Sequence, residues 1–600
     1  MALGSVPNPI KGTPLVQLVH SYRNTDGRPR QRILVSLGDA QVPEGEKHRI
    51  AQAVEEYLQG TQDFFASQLS PEAAAWVARI VQLLGRSKSA KPPIGATVDG
   101  VILDKISTGG GVQLGPQLVA LQAWKELGFM PMLEEMELNA SQIATAELMV
   151  ANRLIKPLSE WALIDWAHRT DVPEILGVRL TKTSKDRLYH TSDALLARRK
   201  AIEKKLRAHE ADLFSLSRSV ILYDVTNTHF EGLCERNPKA RHGKNKQKRN
   251  DCRQGAVGMA FDEHGLPLAH EVFEGNIADT KTLEAALDHL EVPDGTLKPV
   301  VIFAAGFASA ANLAMLKERG YSYVVNITRG SGAKYAEVFE KEIFEELPGR
   351  ESDQKVEVRK IADPQDPDSH LVLCRSAQRR LKEEAMVSKA EARFLAGVKT
   401  LRARIESGRL KKPDAIERKI GALLKKHPRL SGLYSLGYRD GKFTASRDEG
   451  KMRDALSLCG DYVLKTDKTL QAPQLWSLYM TLLKAEDGFG MLKGSLGLRP
   501  NFHQLEGRVG GHIFISVLAY HLLCWVRRKL EPLGDMRDWI TVRGLLSTHS
   551  LTTTSLPLAD GRLIQIRKAG VPDAEQALVY KSLGIEWKNA FLAKKSVIND

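Results

Sequence analysis

Apolar and polar residues change period along the chain, and each change marks a different kind of element. PLVQLVHSYR and RQRILVSLG flank Asn24-Thr25-Asp26-Gly27, which predicts a β-hairpin with Asp-Gly at its turn. Residues 45 to 215 read as mostly helical, with one helix over 141–155, a Lys156-Pro157-Leu158-Ser159 break, and another beginning near Glu160. Ser159 suits the N-cap, because its hydroxyl can accept from an orphan first-turn N–H. The pair fits ordinary helix packing, the commoner case, or a DNA-reading helix-turn-helix.

The period shifts at 219. SVILYDVTNTHFEG, QGAVGMAFDEHG and LPLAHEVFEG read as successive strands, followed by a helix from about 280 capped by Asp279. The strand KPVVIFAAG, a helix near 309–319 and the strand YSYVVNITRG come next, so a mixed α/β sheet with helices against it is expected. After Gly330 a long insert is strand-like at its ends (LVLC, then GDYVLKTD) and helical between. There Met386, Ala390, Phe394, Val398, Leu401 and Ile405 form a packing stripe. Helices over 473–493 and 511–526 and a mixed C-terminal segment complete the pattern, and no internal repeat is evident.

Composition narrows the class. A length of 600 residues suggests about four domains, and 43% hydrophobic with 26% charged residues excludes a disordered or fibrous chain. Five widely spaced cysteines without a C-x-x-C indicate neither a disulfide framework nor a zinc ribbon, and fit a reducing cytoplasm. MALGSVPNPIKG lacks an apolar signal core, and HIFISVLAYHLLCWV at 512–526 is short for a bilayer and contains two histidines, so neither secretion nor a membrane span is expected.

The net charge of +14 favours an anionic partner, and two segments carry it. Arg375 to Arg429 holds 17 Lys/Arg against 6 Asp/Glu, and Lys239 to Arg253 holds 7 against one. The longer segment reads equally as a solvated helix face or a polyanion groove. The shorter has no apolar periodicity and reads as a phosphate-contacting loop, with Lys244, Lys246, Lys248, Arg249 and Arg253 as candidates. Arg28 and Arg30 on the hairpin are further candidates for DNA.

Asp224 ends the apolar run VILYD, where an acid would project from a sheet edge, although a strand-end Asp is common. Tyr479, Glu486 and Lys493 recur every seven residues, within about 20° per step of one line along a helix. Such a line is usually a solvated or packing face. Gly488 and Gly490 beside Glu486 weaken a helix with no structural gain visible in the sequence, which favours a functional reading.

YDVTNTHFEG, the basic loop, GLPLAHEVFEGNIADTKTL, VVIFAAGFASAANLAMLKERGYSYVV and YMTLLKAEDGFGMLKGSLGLRPNFHQLEGRVGGHIFISVLAYHLL together resemble the bacterial insertion-sequence DDE transposases. They are most similar to the branch with a large insertion before the last acid. The resemblance implies an RNase H-like mixed-sheet catalytic core interrupted by a basic insertion domain, with a mainly helical N-terminal DNA-binding region. The expected parts are a hairpin arm (1–44), a helical end-binding region (45–215), a first core part (216–330), the insertion (331–455), a second core part (456–530) and a C-terminal segment (531–600), a candidate for dimerisation.

It also implies an Asp, Asp, Glu triad holding two Mg²⁺, with Mn²⁺ as a substitute. Asp224 matches the first acid and Glu486 the last, both as metal ligands. Tyr479 and Lys493 match the tyrosine and lysine of the Y-R-E-K signature, its arginine position falls on Leu482, and Lys484 lies nearby. The second acid falls on Ala304, and no Asp or Glu occurs from Leu297 to Lys317. Asp294 precedes the strand and Asp279 reads as a helix cap, so neither is expected to reach that place.

The expectation is therefore a cytoplasmic, nucleoid-associated cut-and-paste transposase, binding inverted-repeat ends and target duplex as a homodimer without a membrane, and disabled at Ala304. The alternative is a non-catalytic DNA-binding protein of transposase descent, and a weaker third reading is a nuclease without strand transfer. The resemblance extends to an insertion that stabilises a hairpin intermediate. No Trp occurs between 328 and 455, so a flipped base there would stack on Tyr or Phe.

Overall fold

The computed structural model describes residues 1–6, 14–23, 28–59, 69–86, 97–170, 172–176, 184–243, 249, 251–292, 297–327, 333–347, 355–590 and 594–598. The chain forms two units, one of residues 1–111, 551–570 and 592–600, the other of 112–550 and 571–591.

In the first unit, β1 (Ala2–Val6), β2 (Leu15–Arg23) and β3 (Pro29–Gly38) form an antiparallel sheet. Both arms of the expected hairpin are present, while its turn, 24–27, lies outside the described residues. Val16, Leu18 and Val35 turn inward onto Ile50 and Val54 of α1 (Lys47–Gln59) and Ala73 and Ile80 of α2 (Pro71–Arg86). Arg28 and Arg30 are exposed.

The helical reading of 45–215 fails at one place. β4 (Thr97–Val98) pairs with β5 (Val101–Ile102), and β6 (Ser107–Gln113) joins a second sheet. Gly109, Gly110 and Gly111 lie in β6, and each costs a helix about 1 kcal/mol relative to Ala.

The second unit opens with helices, among them α3 (Ala140–Ile155), α4 (Glu160–Arg169), α5 (Lys185–Ala197) and α6 (Arg199–Phe214). The Ser159 hydroxyl accepts from the Ala162 N–H, as its N-cap position requires.

A nine-stranded sheet follows. Its strands are β7 (Val220–His229), β8 (Gln254–Phe261), β9 (Pro267–Glu274), β10 (Val300–Phe303), β11 (Ser322–Asn326), β12 (Glu345–Leu347), β13 (Val356–Ala362), β14 (His370–Ser376) and, after the hairpin β15–β16 (434–447), β17 (Asp461–Thr466). The order is β12-β13-β14-β17-β11-β10-β7-β8-β9. β7, β10 and β11 are mutually parallel, whereas β8 and β9 return as an antiparallel meander. The strand-like ends of the insert are thus sheet members, β14 pairing with β17 and β17 with β11.

One face of the sheet packs Ile221, Tyr223, Val301, Phe303 and Tyr323 against α7 (Leu283–Leu290) and Leu316 of α8 (Ala310–Glu318). The outer strand β9 is guarded by α6, whose Arg199 and Arg207 donate to the carbonyls of His270 (2.7 Å) and Leu268 (2.6 Å). Such cover satisfies edge carbonyls that would otherwise recruit another strand.

In the insert, α9 (Ala377–Glu406) and α10 (Pro413–Lys426) pack Phe394, Val398, Leu401, Ile416 and Ile420. The expected stripe holds from Ala390 onward, but Met386 is exposed and Val387 takes the inward place. Part of the insert's positive charge is internally engaged. Arg375 and Arg379 lie 4.6 Å from the ring centroids of Phe344 and Tyr462, and Arg380 donates to the Cys459 carbonyl at 3.0 Å.

The expected helix over 473–493 is two helices, α11 (Ala472–Met480) and α12 (Leu483–Lys493). At the joint the N–H groups of Thr481, Leu482, Lys484 and Ala485 bond three residues back. This tighter winding advances each residue by about 120° instead of 100°, so Tyr479 and Glu486 leave their common line. The last long helix, α13 (Glu506–Leu530), extends beyond the 512–526 run. It is long and apolar enough to cross a membrane, but nearly all of its apolar window is buried inside this unit, against α3 and α5 among others. A helix apolar all round belongs to an interior, and two of its polar groups are matched there: His521 Nδ1 lies 2.5 Å from buried Glu210, and Tyr520 donates to the Gly265 carbonyl at 2.9 Å.

Candidate active site at the strand ends

Val220 through Tyr223 are buried, and Asp224 is the first half-buried residue of β7. Phe303, the last residue of β10, pairs with Tyr223 on one side and Val325 on the other. Asp224, Ala304 and Asn326 therefore follow one another at a single level across three parallel strands. This carboxyl edge is where an α/β sheet leaves polar groups unobstructed.

Ala304 stands in extended conformation before the 3₁₀ turn Ala305–Phe307. Asp279 does not cap a helix. It begins its own 3₁₀ turn, Asp279–Lys281, and neither that turn nor α7 has a side-chain cap. Its Oδ2 lies 3.0 Å from where a Cβ on Gly306 would stand, two residues after Ala304. An extra turn between Asp279 and α7 moves the carboxylate away from the capping position and toward the strand end. Burial raises the Tyr223 hydroxyl above its ordinary range, and the charges of Asp224, Asp279 and Glu271 raise it further against its hydrogen bond to the Thr282 carbonyl. Both aspartates thus lie within electrostatic reach of one phenol. Asp294 lies outside the described residues.

The α11–α12 pair crosses this region. At one end Tyr479 hydrogen-bonds Asn326; burial raises its hydroxyl's pKa, and the Glu486 charge adds to the rise. At the other, a Cβ on Gly488 would come within 2.8 Å of the Phe261 ring and the Tyr520 hydroxyl. Glu486 is exposed between these anchors, on a helix that also packs against β7. Gly488 therefore has a packing reason that the sequence did not show, whereas nothing lies within 4 Å of a Cβ on Gly490. The Lys493 ammonium lies 5.3 Å from the Phe489 ring centroid, Leu482 is buried, and Lys484 is exposed beside the Gly265 turn.

Sequence reasoning missed Asn326 and misassigned Asp279. The signal for Asn326 was the one that found Asp224, the first polar residue after a buried strand.

In the basic loop, Lys244, Lys246 and Lys248 lie outside the described residues. Arg249 is ion-paired within the loop. It grips Asp251 through Nε and Nη2 at 2.9 Å and reaches Glu231 at 3.4 Å. Arg253 is half-buried, and its carbonyl accepts from Phe230.

A solved structure described as a cryo-EM structure of piggyBac transposase synaptic complex with hairpin DNA is 9% identical, covers 74% of this chain and 82% of that one, and has a TM-score of 0.34, too low to bear on this fold. Among curated proteins none matches. The IS1634 family transposase N-terminal domain matches residues 5–71, and the transposase DDE domain matches 215–522, the stretch that holds Asp224, Ala304, Asn326, Tyr479 and Glu486. That second match spans just over half of the chain, which therefore belongs to the DDE transposases.

Proposed function

We propose that the chain is an insertion-sequence transposase that binds inverted-repeat ends as a homodimer, in a cytoplasmic, nucleoid-associated setting, by cut-and-paste chemistry, and that its cleavage step is silenced at Ala304. The carrying observation is the level alignment of Asp224, Ala304 and Asn326, crossed by a helix pair bearing Tyr479 and Glu486. The sheet order β9-β8-β7-β10-β11, two antiparallel returns followed by two parallel strands, supports an RNase H-like core.

In this reaction class divalent ions activate the attacking oxygen and stabilise the leaving one. The residues aligned at the strand ends do not complete a two-ion donor set, because the place between Asp224 and Asn326 carries a methyl group and Asp279 approaches from the turn beside Gly306, outside that alignment. The remaining roles belong to binding. Asn326 orients the Tyr479 hydroxyl, and Tyr479, Lys484 and Lys493 supply polar and cationic contacts for end phosphates. Arg253 and the lysines of the basic loop are further phosphate contacts, as are Arg28 and Arg30 of the first unit.

A non-catalytic DNA-binding protein is the second reading, and the methyl at 304 is the observation that favours it. Cleavage of a labelled duplex carrying the element's end in Mg²⁺ separates the two. Cutting by Ala304→Asp but not by the unaltered chain supports a silenced transposase; binding without cutting by either supports the second reading.

A further inference from the structure

Beyond the strand-end site, the second unit holds a cavity of about 410 Å³ lined by Arg153, Trp161, Tyr189, Arg499, Phe502 and His503, among others. Its rim carries two large aromatic side chains left to solvent, Trp161 at 73% exposure and Phe502 at 63%. Exposed aromatics are ordinary singly; here two line one cavity with cationic groups. Arg499 Nη1 is buried and has no hydrogen-bond partner among the described residues, and burial lowers the Arg499 pKa. A buried guanidinium nitrogen without an acceptor is costly unless a ligand supplies one.

Glu160, His503 and His512 also meet here, with ligand-type atoms within 4.8 Å of one another. They do not suit a cation. Arg153 Nη2 donates to His512 Nδ1 at 2.8 Å, and the other ring nitrogen donates to the Gly497 carbonyl at 3.1 Å, so His512 offers no lone pair. Burial and the Arg153 charge hold His512 neutral, while Glu160 is matched by His503 at 3.3 Å. Among the described residues Glu160 is the only carboxylate lining this cavity, against the guanidinium groups of Arg153 and Arg499, and the orphaned donor is Arg499 Nη1. Lys185 stands 5.6 Å over the Trp161 ring, and Arg508, itself paired with Asp193, stands 4.5 Å over Tyr189.

We infer that this cavity receives one unpaired nucleotide of a DNA strand, its base stacking on the Trp161 and Phe502 rim and its phosphate answering Arg499. Aromatic faces with cations between them hold single strands with little regard to sequence. The location suits a strand that also reaches the sheet edge. Leu498 and Asn501 bond to Thr228 and His229 at the end of β7, five residues beyond Asp224, or about 17 Å at strand rise. The basic loop is tied to the same segment through Lys239 and Glu506 at 3.0 Å. The inference rests on the DNA reading above and adds a place for an unpaired base outside the insert.

Fluorescence anisotropy of the full chain with an oligothymidylate of about twenty nucleotides, and with a duplex of similar length, tests it. Trp161→Ala and Phe502→Ala should each weaken single-strand binding about five- to 100-fold while changing duplex affinity less than about twofold, and Trp161→Phe should recover most of the loss. Both side chains are exposed, so neither truncation threatens the fold. Unchanged single-strand affinity in both variants would overturn the pocket while duplex binding stands. Failure of the unaltered chain to bind either probe would overturn the DNA reading itself.

Discussion

The strand-end edge and the aromatic cavity lie in the same unit and handle polarity in opposite ways. At the edge, Asp224 and Asn326 flank a methyl group, and Glu486 faces solvent on a helix anchored at either side of it. In the cavity, Arg153, Glu160, His503 and His512 are joined by close contacts, and the unanswered group is a buried cation. On the proposed reading, the difference assigns holding DNA and cutting it to separate parts of this chain. Ala304 needs no side-chain partner to keep its extended backbone, so the edge can lack an oxygen while sheet and cavity stand.

The largest contrast is expected at 304. Ala304→Asp should raise cleavage about 100-fold or more over the unaltered chain, at least about 2.7 kcal/mol of barrier, and Asp224→Asn in that background should remove the gain, both read from labelled end duplex. Neither change should move single-strand affinity, which keeps edge and cavity apart.

The basic loop should act on duplex affinity. Replacing Lys244, Lys246 and Lys248 together by Ala should reduce the log-log salt slope by about 2.7, roughly 0.9 per phosphate contact, whereas Arg249→Ala should change it little because Asp251 and Glu231 already engage that guanidinium. Equal slopes for the triple variant and the unaltered chain would remove the loop from the interface.

Gly488 and Gly490 sharpen the comparison on one helix. Gly488→Ala should destabilise by about 1–3 kcal/mol, since its methyl meets Phe261 and Tyr520, while Gly490→Ala should stabilise by up to about 1 kcal/mol. Denaturant midpoints decide, and a stabilised Gly488→Ala would refute the close approach.

The cavity should have the smallest signature, in pH. Burial pushes the Glu160 carboxyl up, but His503 brings it down to about 2, below the roughly 4.3 of an unfolded chain. Its contribution is thus complete above about pH 4.5 and fades as pH falls toward 2. Glu160→Gln should flatten that acid limb in melting temperature. His289, raised above its ordinary value by Glu203 and Glu271 against burial, contributes below about pH 6.5 and loses that contribution as pH rises through its folded value.

The strands were legible because buried runs such as VILY and VVIF end at a polar or small residue. Pairing between distant segments was not, so the insert's ends were read as strands without being placed beside β11. Asp279 before a helix looks like a cap in sequence; only an intervening 3₁₀ turn gives its carboxylate another direction. Gly488 looked gratuitous because its neighbours, Phe261 and Tyr520, lie far away in the chain. The cavity collects residues from Arg153 to His512, with no local spacing to announce it.

The claim that one side chain separates this chain from a complete catalytic edge is tested most directly by calorimetric titration of Mg²⁺ into the unaltered chain and Ala304→Asp, each bound to an end duplex. The account predicts two ions for the Asp form and fewer than two for the unaltered chain. The same number in both would contradict it.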